Sequence, residues 1–254
     1  MAQQRTKPVG AVETAFEVLD ALKTCNGAGV TELAAHLDIP KSTAHSHLTT
    51  LEQLGYATRE GDVYHVGLQF LDLGGFAREQ MKVYRTARPH VEELAEKTGE
   101  WANLCVPDHD RAVYLQLERG ARAVELDVYV GMRVYPHSTA LGKVILAYWD
   151  TSDVRALVER HGLPAFSERT VTDESVLFEQ LEAIRERGYA YDREERLQGL
   201  RCVAAPIIQG EGQVVGGVSV SGPVSRMKGE RFEVELPELV TSAANVISIN
   251  LTYS

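Results

Sequence analysis

Apolar residues recur at helical spacing near the start of the chain. Val12, Ala15, Phe16, Leu19 and Leu22 predict an amphipathic helix over 11–24, which Asn26-Gly27-Ala28-Gly29 breaks. Thr31 is placed to cap a second, short helix whose apolar face is Leu33, Ala34 and Leu37. Ile39 and Pro40 make a tight turn, and a third helix runs from Pro40 or Lys41 to Leu54, stopped by Gly55. Tyr56–Arg59 and Val63–Val66 read as short strands joined by Glu60-Gly61-Asp62. Three helices followed by a hairpin is the order of a winged helix-turn-helix. This domain is assigned to residues 8–66.

Residues 67–81 carry Leu68, Leu71 and Phe76 around Gly74-Gly75 and predict a linker helix, weakened or bent at the glycine pair. Residues 83–98 predict a helix with Val91, Leu94 and Ala95 inward and Gly99 as its stop. Strand character follows at Trp101–Val106, Arg111–Leu117 and Ala123–Val130, with Pro107-Asp108-His109-Asp110 turning the first pair. Thr139–Trp149, Ser152–His161 and Asp173–Arg187 read as helices, the last with Leu177, Leu181 and Ile184 inward and Gly188 as its stop. Tyr189–Asp192, Cys202–Ile208 and Val214–Ser221 return to strand, with Gly210-Glu211-Gly212 turning the last pair. Leu236, Leu239, Val240, Ala243, Val246 and Ile247 mark a C-terminal helix, with Pro237 near its start. Adjacent strand pairs predict an antiparallel α+β domain over 82–254.

Composition narrows the class. The 254 residues are 44% hydrophobic and 24% charged, as in a soluble globular protein. No apolar run is long enough for a membrane span, and MAQQRTKPVG carries no signal-peptide core, so a cytoplasmic protein is expected. Three widely spaced cysteines, Cys25, Cys105 and Cys202, argue against a disulfide scaffold.

The net charge of −10 is a poor starting point for nucleic-acid binding, so such binding must rest on a local feature. Seven lysines against 19 arginines suit a high-salt cytoplasm, and a GC-rich genome gives the same bias.

The third helix supplies the local feature. Ala44, Leu48, Leu51 and Leu54 share one face, while Ser42, His45, Ser46, Thr49 and Gln53 share the other. Lys41, Ser42 and Thr43 at its start can hold a phosphate, and later positions can reach base edges. A solvated polar face is the plain alternative, and the surrounding helix–turn–helix–hairpin order argues against it.

The run GVTELAAHLDIPKSTAHSHLTTLEQLGYATREGDVYHVG resembles the DNA-binding domain of the IclR family of transcriptional regulators. GMRVYPHSTALGKVILAY, YAYDREERLQGLRCVAAPI and VVGGVSVSGP resemble that family's effector domain in order and spacing. The resemblance implies a GAF-like effector-binding domain over 82–254, a homodimer or homotetramer, and double-stranded DNA with a pseudo-palindromic operator as partner. DNA contacts are expected at Thr31, Lys41, Ser42, Thr43, His45, Ser46, Thr49 and the wing residue Arg59. Two departures stand out. His45 and Ser46 replace an aromatic residue and an arginine common in the family, so base preference does not transfer. Residues 1–80 hold 6 basic and 10 acidic side chains, with Arg5, Lys7, Lys41 and Arg59 best placed for phosphate. Affinity should therefore come from a two-fold dimer on two half-sites.

For the effector, the helix opened by His137-Ser138-Thr139 offers free N–H groups and a positive dipole end to a carboxylate. Ser219 and Ser221, two apart on a strand, face the same way. The resemblance places Ala140, Leu141, Asp192, Cys202, Ser219 and Ser221 around a small organic ligand, with Leu126 and Val134 as apolar wall. A compact organic or aromatic acid fits these groups. Asp192 would accept from a ligand hydroxyl or orient a water. Each residue also has a plainer reading: Cys202 as buried filler, the serines on an exposed sheet face, and Asp192 paired with Arg193 or Arg201 at the surface.

An enzyme would need Cys202 or Cys105 as nucleophile with His137 as base, and no third orienting group is evident. Zinc would need His109, His137 or His161 with carboxylates, but their spacing is not that of a ligand set. A DNA-packing protein would not need the larger second domain. No cofactor and no membrane partner are expected.

Overall fold

The computed structural model describes residues 8–210 and 212–253. Arg5, Lys7 and the turn residue Glu211 lie outside the described residues. The chain divides into two compact units, one ending at Ala77 and one beginning at Arg78.

The first unit contains α1 (Gly10–Thr24), α2 (Val30–His36), α3 (Lys41–Gln53) and a hairpin of β1 (Ala57–Glu60) and β2 (Val63–Val66). Its core is small: Val18, Leu19, Leu22, Leu33, Leu48, Leu51 and Tyr64 meet there. Tyr64 exchanges both backbone bonds with Ala28, tying the wing to the segment before α2. The tight turn between α2 and α3 places Asp38 at φ 52°, a left-handed conformation that Asp tolerates better than most residues.

Three expectations change here. Thr31 does not cap α2: the cap is Gly29, and Thr31 lies one residue inside the helix. Leu54 is not on the buried face; it sits at the C-cap of α3, 61% exposed, because the helix stops before that turn meets the core. Val12 and Phe16 are exposed, and Val18 and Ala21 join the core in their place, because the first half of α1 extends past it.

α4 (Gln69–Gln80) runs through Gly74-Gly75 as continuous helix and buries none of its residues. Leu68, just ahead of it, and Leu71, Leu73 and Phe76 within it are exposed.

The second unit is built on six strands: β3 (Trp101–Asp108), β4 (Arg111–Arg119), β5 (Arg133–Val134), β6 (Ala190–Arg193), β7 (Leu200–Gln209) and β8 (Gln213–Pro223). Their spatial order is β5-β4-β3-β8-β7-β6, and every neighbouring pair is antiparallel. α5 (Lys82–Thr98) and α9 (Leu236–Tyr253) pack on one face with Ala102, Leu104, Val203, Ala205, Val218 and Val220. α6 (Ala140–Leu146), α7 (Thr151–His161) and α8 (Glu174–Arg187) pack on the other face with Cys105, Cys202 and Ala204. Alternation along each strand thus divides the residues between two cores.

One predicted strand is absent. Ala123–Val130 alternates apolar and polar residues but forms no ladder. Edge pairing on β4 goes to Arg133–Val134 instead, and side chains tie the loop down. Trp101 Nε1 donates to Val124 O at 2.7 Å, and Arg119 donates to Ala123 O at 3.3 Å.

α6 is buried at every position, as expected for a helix that is apolar nearly all round. A short 3₁₀ turn, Pro136–Ser138, leads into it. Gly142 permits this close approach: a Cβ there would lie 2.2 Å from Pro136 O.

Candidate effector site and nucleic-acid interface

α3 presents its polar residues outward. Ala44, Leu48 and Leu51 are buried, Lys41, Ser42, His45 and Ser46 are exposed, and Thr43 and Thr49 are half-buried. Ser46 Oγ donates to Ser42 O at 2.9 Å, which leaves its lone pairs free to accept. Pro40 at the N-cap offers no side-chain acceptor, so the first N–H groups of α3 remain available to an anion. Lys41 stands beside them. Arg59 is already engaged: Nε donates to Gly61 O at 2.7 Å and Nη2 meets Asp62 at 3.0 Å. Asp62 is fully exposed, so solvent screens this pair and a phosphate can displace it. Thr31 is exposed on α2.

In the second unit, strand register gathers four of the predicted effector residues. Asp192 pairs with Cys202, Cys202 with Ser221, and Asn103 with Ser219. Asn103 Nδ2 donates to Ser219 Oγ at 3.0 Å and to Ser221 Oγ at 3.1 Å. All five side chains are buried, so the serines line no exposed face and Asp192 is no surface ion-pair partner. Asp192 instead accepts the Glu195 N–H at 2.7 Å, and the Arg196 N–H also points to it. Burial, reinforced by the Glu195 charge, pushes its carboxyl up to about 7.

α6 adjoins this face of the sheet. Leu141 Cδ2 would stand 3.2 Å from a Cβ at Gly217 on β8. Ala140 and Leu141 are buried there. The first turn of α6 is partly spent, since Thr139 Oγ1 accepts the Gly142 N–H at 2.9 Å. Lys143, the one charge in an apolar helix, is buried; its Nζ donates to Glu195 at 2.6 and 2.8 Å and to Gln180 at 3.0 Å. A lone Lys within ALGKVILA was the signal for this network, and Asn103 within WANLCV was the signal for the serine clamp. Sequence reasoning missed both.

A cleft of about 410 Å³ opens beside the 3₁₀ turn. Leu126 and Val134 line it together with Tyr135, Ser138, Phe166 and Arg196. Ala140, Leu141, Asp192, Cys202, Ser219 and Ser221 do not form its walls. Arg196 connects the two zones: it lines the cleft, and its charge opposes the burial-driven rise of the Cys105 thiol and the Tyr114 phenol behind it.

Neither cysteine has the character of a nucleophile. Burial pushes the Cys202 thiol up to about 12 and raises Cys105 further from its thiolate. His137 gives Nε2 to Pro164 O at 3.1 Å, and burial lowers its affinity for a proton. His109 pairs with Asp108 and His161 with Asp110. Among the described residues no group of three metal-ligating side chains gathers.

Known proteins agree with this architecture. Residues 11–61 match the IclR helix-turn-helix domain model, and residues 76–249 match the model of the C-terminal domain of bacterial IclR transcriptional regulators. The chain is 33% identical over 247 residues to a probable HTH-type transcriptional regulator ArcR of Halobacterium salinarum, covering 96% of this chain and 94% of that one. It is 34% identical over 247 residues to the regulator KdgR of Escherichia coli, with the same two coverages. The crystal structure of Thermotoga maritima IclR superposes with a TM-score of 0.76 at 31% identity, covering 96% of this chain and 99% of that one. These relatives are named as regulators, which sets the enzyme reading aside. With a DNA-binding helix-turn-helix and an effector-binding C-terminal domain, the chain belongs to the IclR family of transcriptional regulators.

Proposed function

We propose that the protein binds an operator through α3 and the wing, and that a small organic or aromatic acid in the second unit controls that binding. The carrying observation is the cleft of about 410 Å³ beside a buried polar row on the sheet. Leu126 and Val134 form the wall of the cleft, and Asp192, Cys202, Ser219 and Ser221, with Ala140 and Leu141 at the start of α6, form the buried row behind it that the ligand reaches through the Arg196 loop. Residues 8–66 are the reading head, 67–81 the linker and 82–254 the effector domain. Lys41, Ser42, Thr43 and Arg59 hold phosphates, with Thr31 beside them, and His45, Ser46 and Thr49 read bases.

The regulator works as a homodimer or homotetramer in the cytoplasm. Two features support self-association: an acidic reading head needs avidity to hold DNA, and Val12, Phe16, Leu71, Leu73 and Phe76 leave apolar surface open. Among the described residues no helix is long and apolar enough to cross a membrane.

Two measurements test this. Footprinting should protect a pseudo-palindromic site with half-sites about 34 Å apart or a multiple of that. Cys202→Phe should still bind the footprinted duplex but no longer release it when the effector is added. Retained ligand affinity and release in the variant would place the pocket elsewhere. A footprint with no two-fold character would count against the dimer.

A further inference from the structure

The cleft holds two guanidinium groups with opposite circumstances. Arg133 is committed: Nη1 meets Asp108 Oδ2 at 2.6 Å, and Nη2 donates to the carbonyls of Asp108 and His109. Arg196 is not. Its side chain is half-buried, and its partner is Met132 Sδ at 3.3 Å, a weak acceptor. Among the described residues it makes no ion pair. Asp127 also lines the cleft, exposed and unpaired with it.

The protein nevertheless fixes this residue. Asp192 accepts the backbone N–H groups of Glu195 and Arg196. The Glu195 carboxylate is clamped by Lys143, and its carbonyl accepts from Ser167 and Thr170 at 3.0 and 2.5 Å. A rigid loop thus holds a partly desolvated guanidinium without an anion, an arrangement that an incoming carboxylate completes with two parallel hydrogen bonds. Apolar groups flank it: Leu126, Leu197, Tyr135 and Phe166, the last two rings being 5.5 Å apart. The volume is at the small end for ligand pockets.

We infer that Arg196 is the charged anchor of the effector site, and that the effector is a monocarboxylate whose apolar or aromatic body lies against Tyr135 and Phe166. This deepens the proposed function and rests on it. It moves the charged contact away from the α6 N-terminus, a seven-residue helix whose first turn Thr139 already caps.

The test uses the full chain and calorimetric titration with benzoate, phenylacetate and 4-hydroxybenzoate, alongside the neutral isosteres benzamide and phenylacetamide. At least one acid should bind, with its amide about tenfold or more weaker. Arg196→Gln should weaken that acid about thirtyfold while leaving the amide unchanged, and Arg196→Lys should fall between them, since it keeps the charge and loses the fork. A thermal melt confirms folding, and Arg196→Lys decides alone if the Gln variant does not fold. The inference is overturned if no acid binds, if amide and acid bind alike, or if the variants bind the acid as wild type does. Release of the footprinted duplex separates the two levels. Amides that bind and release DNA as well as acids overturn the anchor and leave the regulatory reading standing. Acids that need Arg196 yet leave DNA binding unchanged uphold the anchor and overturn the regulatory reading.

Discussion

The polar face of α3 and the polar row on the sheet are built on opposite terms. On α3, Lys41, Ser42, His45 and Ser46 face solvent, and their hydrogen-bonding capacity is largely unspent. On the sheet, Asp192, Ser219 and Ser221 are buried and already bonded to Glu195 and Asn103. The first site is a surface that a large partner completes. The second is part of a core, which on the proposed function a small ligand must enter. Substitutions on α3 should therefore change binding without changing stability, whereas those around the row should change both.

The largest effect should come from Glu195→Ala. It leaves Lys143 buried, with Gln180 as its remaining partner, and removing one member of a buried pair costs about 3–5 kcal/mol. Urea unfolding of the full chain measures this. A loss under about 1 kcal/mol would mean that water reaches Lys143, and the contrast with α3 would weaken. Lys41→Ala, exposed on α3, should stay within about 0.5 kcal/mol of wild type in the same assay.

Asp192→Asn should act next, and in the opposite direction. The folded protein holds the Asp192 proton up to about pH 7, while the unfolded chain releases it near the ordinary carboxylate value. Between those limits the folded state binds more protons, so this group's contribution to stability falls as pH rises through the window. Asn keeps the acceptor for the Glu195 N–H and removes the charge. The variant should match wild type near pH 4 and exceed it by about 2–4 kcal/mol at pH 8. A pH-independent difference would show that Asp192 stays ionised throughout.

The same contrast governs what the sequence could show. α3 was legible because a 3.6-residue period separates Ala44, Leu48 and Leu51 from an outward face, and that period needs no tertiary information. Leu54 and Phe16 misled because periodicity does not say where a small core ends. Ser219 and Ser221 could be read as sharing a face, but their burial depends on α6 covering the sheet. Ala123–Val130 has strand alternation, but Arg133–Val134 takes the edge pairing on β4. Arg196 lies in a loop just after Glu194 and Glu195, where nothing in the pattern separates an uncommitted guanidinium from a solvated one. The distinction is tertiary: Met132 is near, and no carboxylate of the described residues is paired with it.

At the DNA face, Lys41→Ala should weaken binding to all duplexes by about tenfold and lower the salt slope by about one phosphate per protomer. Ser46→Ala should shift site preference more than overall affinity, because its free lone pairs face outward. Filter binding at several salt concentrations separates the two. Wild-type behaviour in both variants would remove α3 from the interface.

The smallest effect, and the finest test of the contrast, is Ser221→Ala. Ser221 and Ser219 both accept from Asn103 Nδ2, whose NH2 has two hydrogens, so the amide keeps one serine acceptor when the other is lost, a backing that α3 lacks. Removing one hydroxyl leaves Asn103 bonded to Ser219, so stability should fall by less than about 1 kcal/mol. On the proposed function the ligand should lose one neutral hydrogen bond, worth about 0.5–1.5 kcal/mol, a roughly two- to twelvefold weaker affinity. Ser219→Ala should behave alike, but the double variant leaves the buried Asn103 amide with neither serine acceptor. Its stability loss should exceed the sum of the single losses, because the second substitution removes the compensation that softened the first. Additive losses would mean that Asn103 finds another acceptor, and the row would then be as open to solvent as α3.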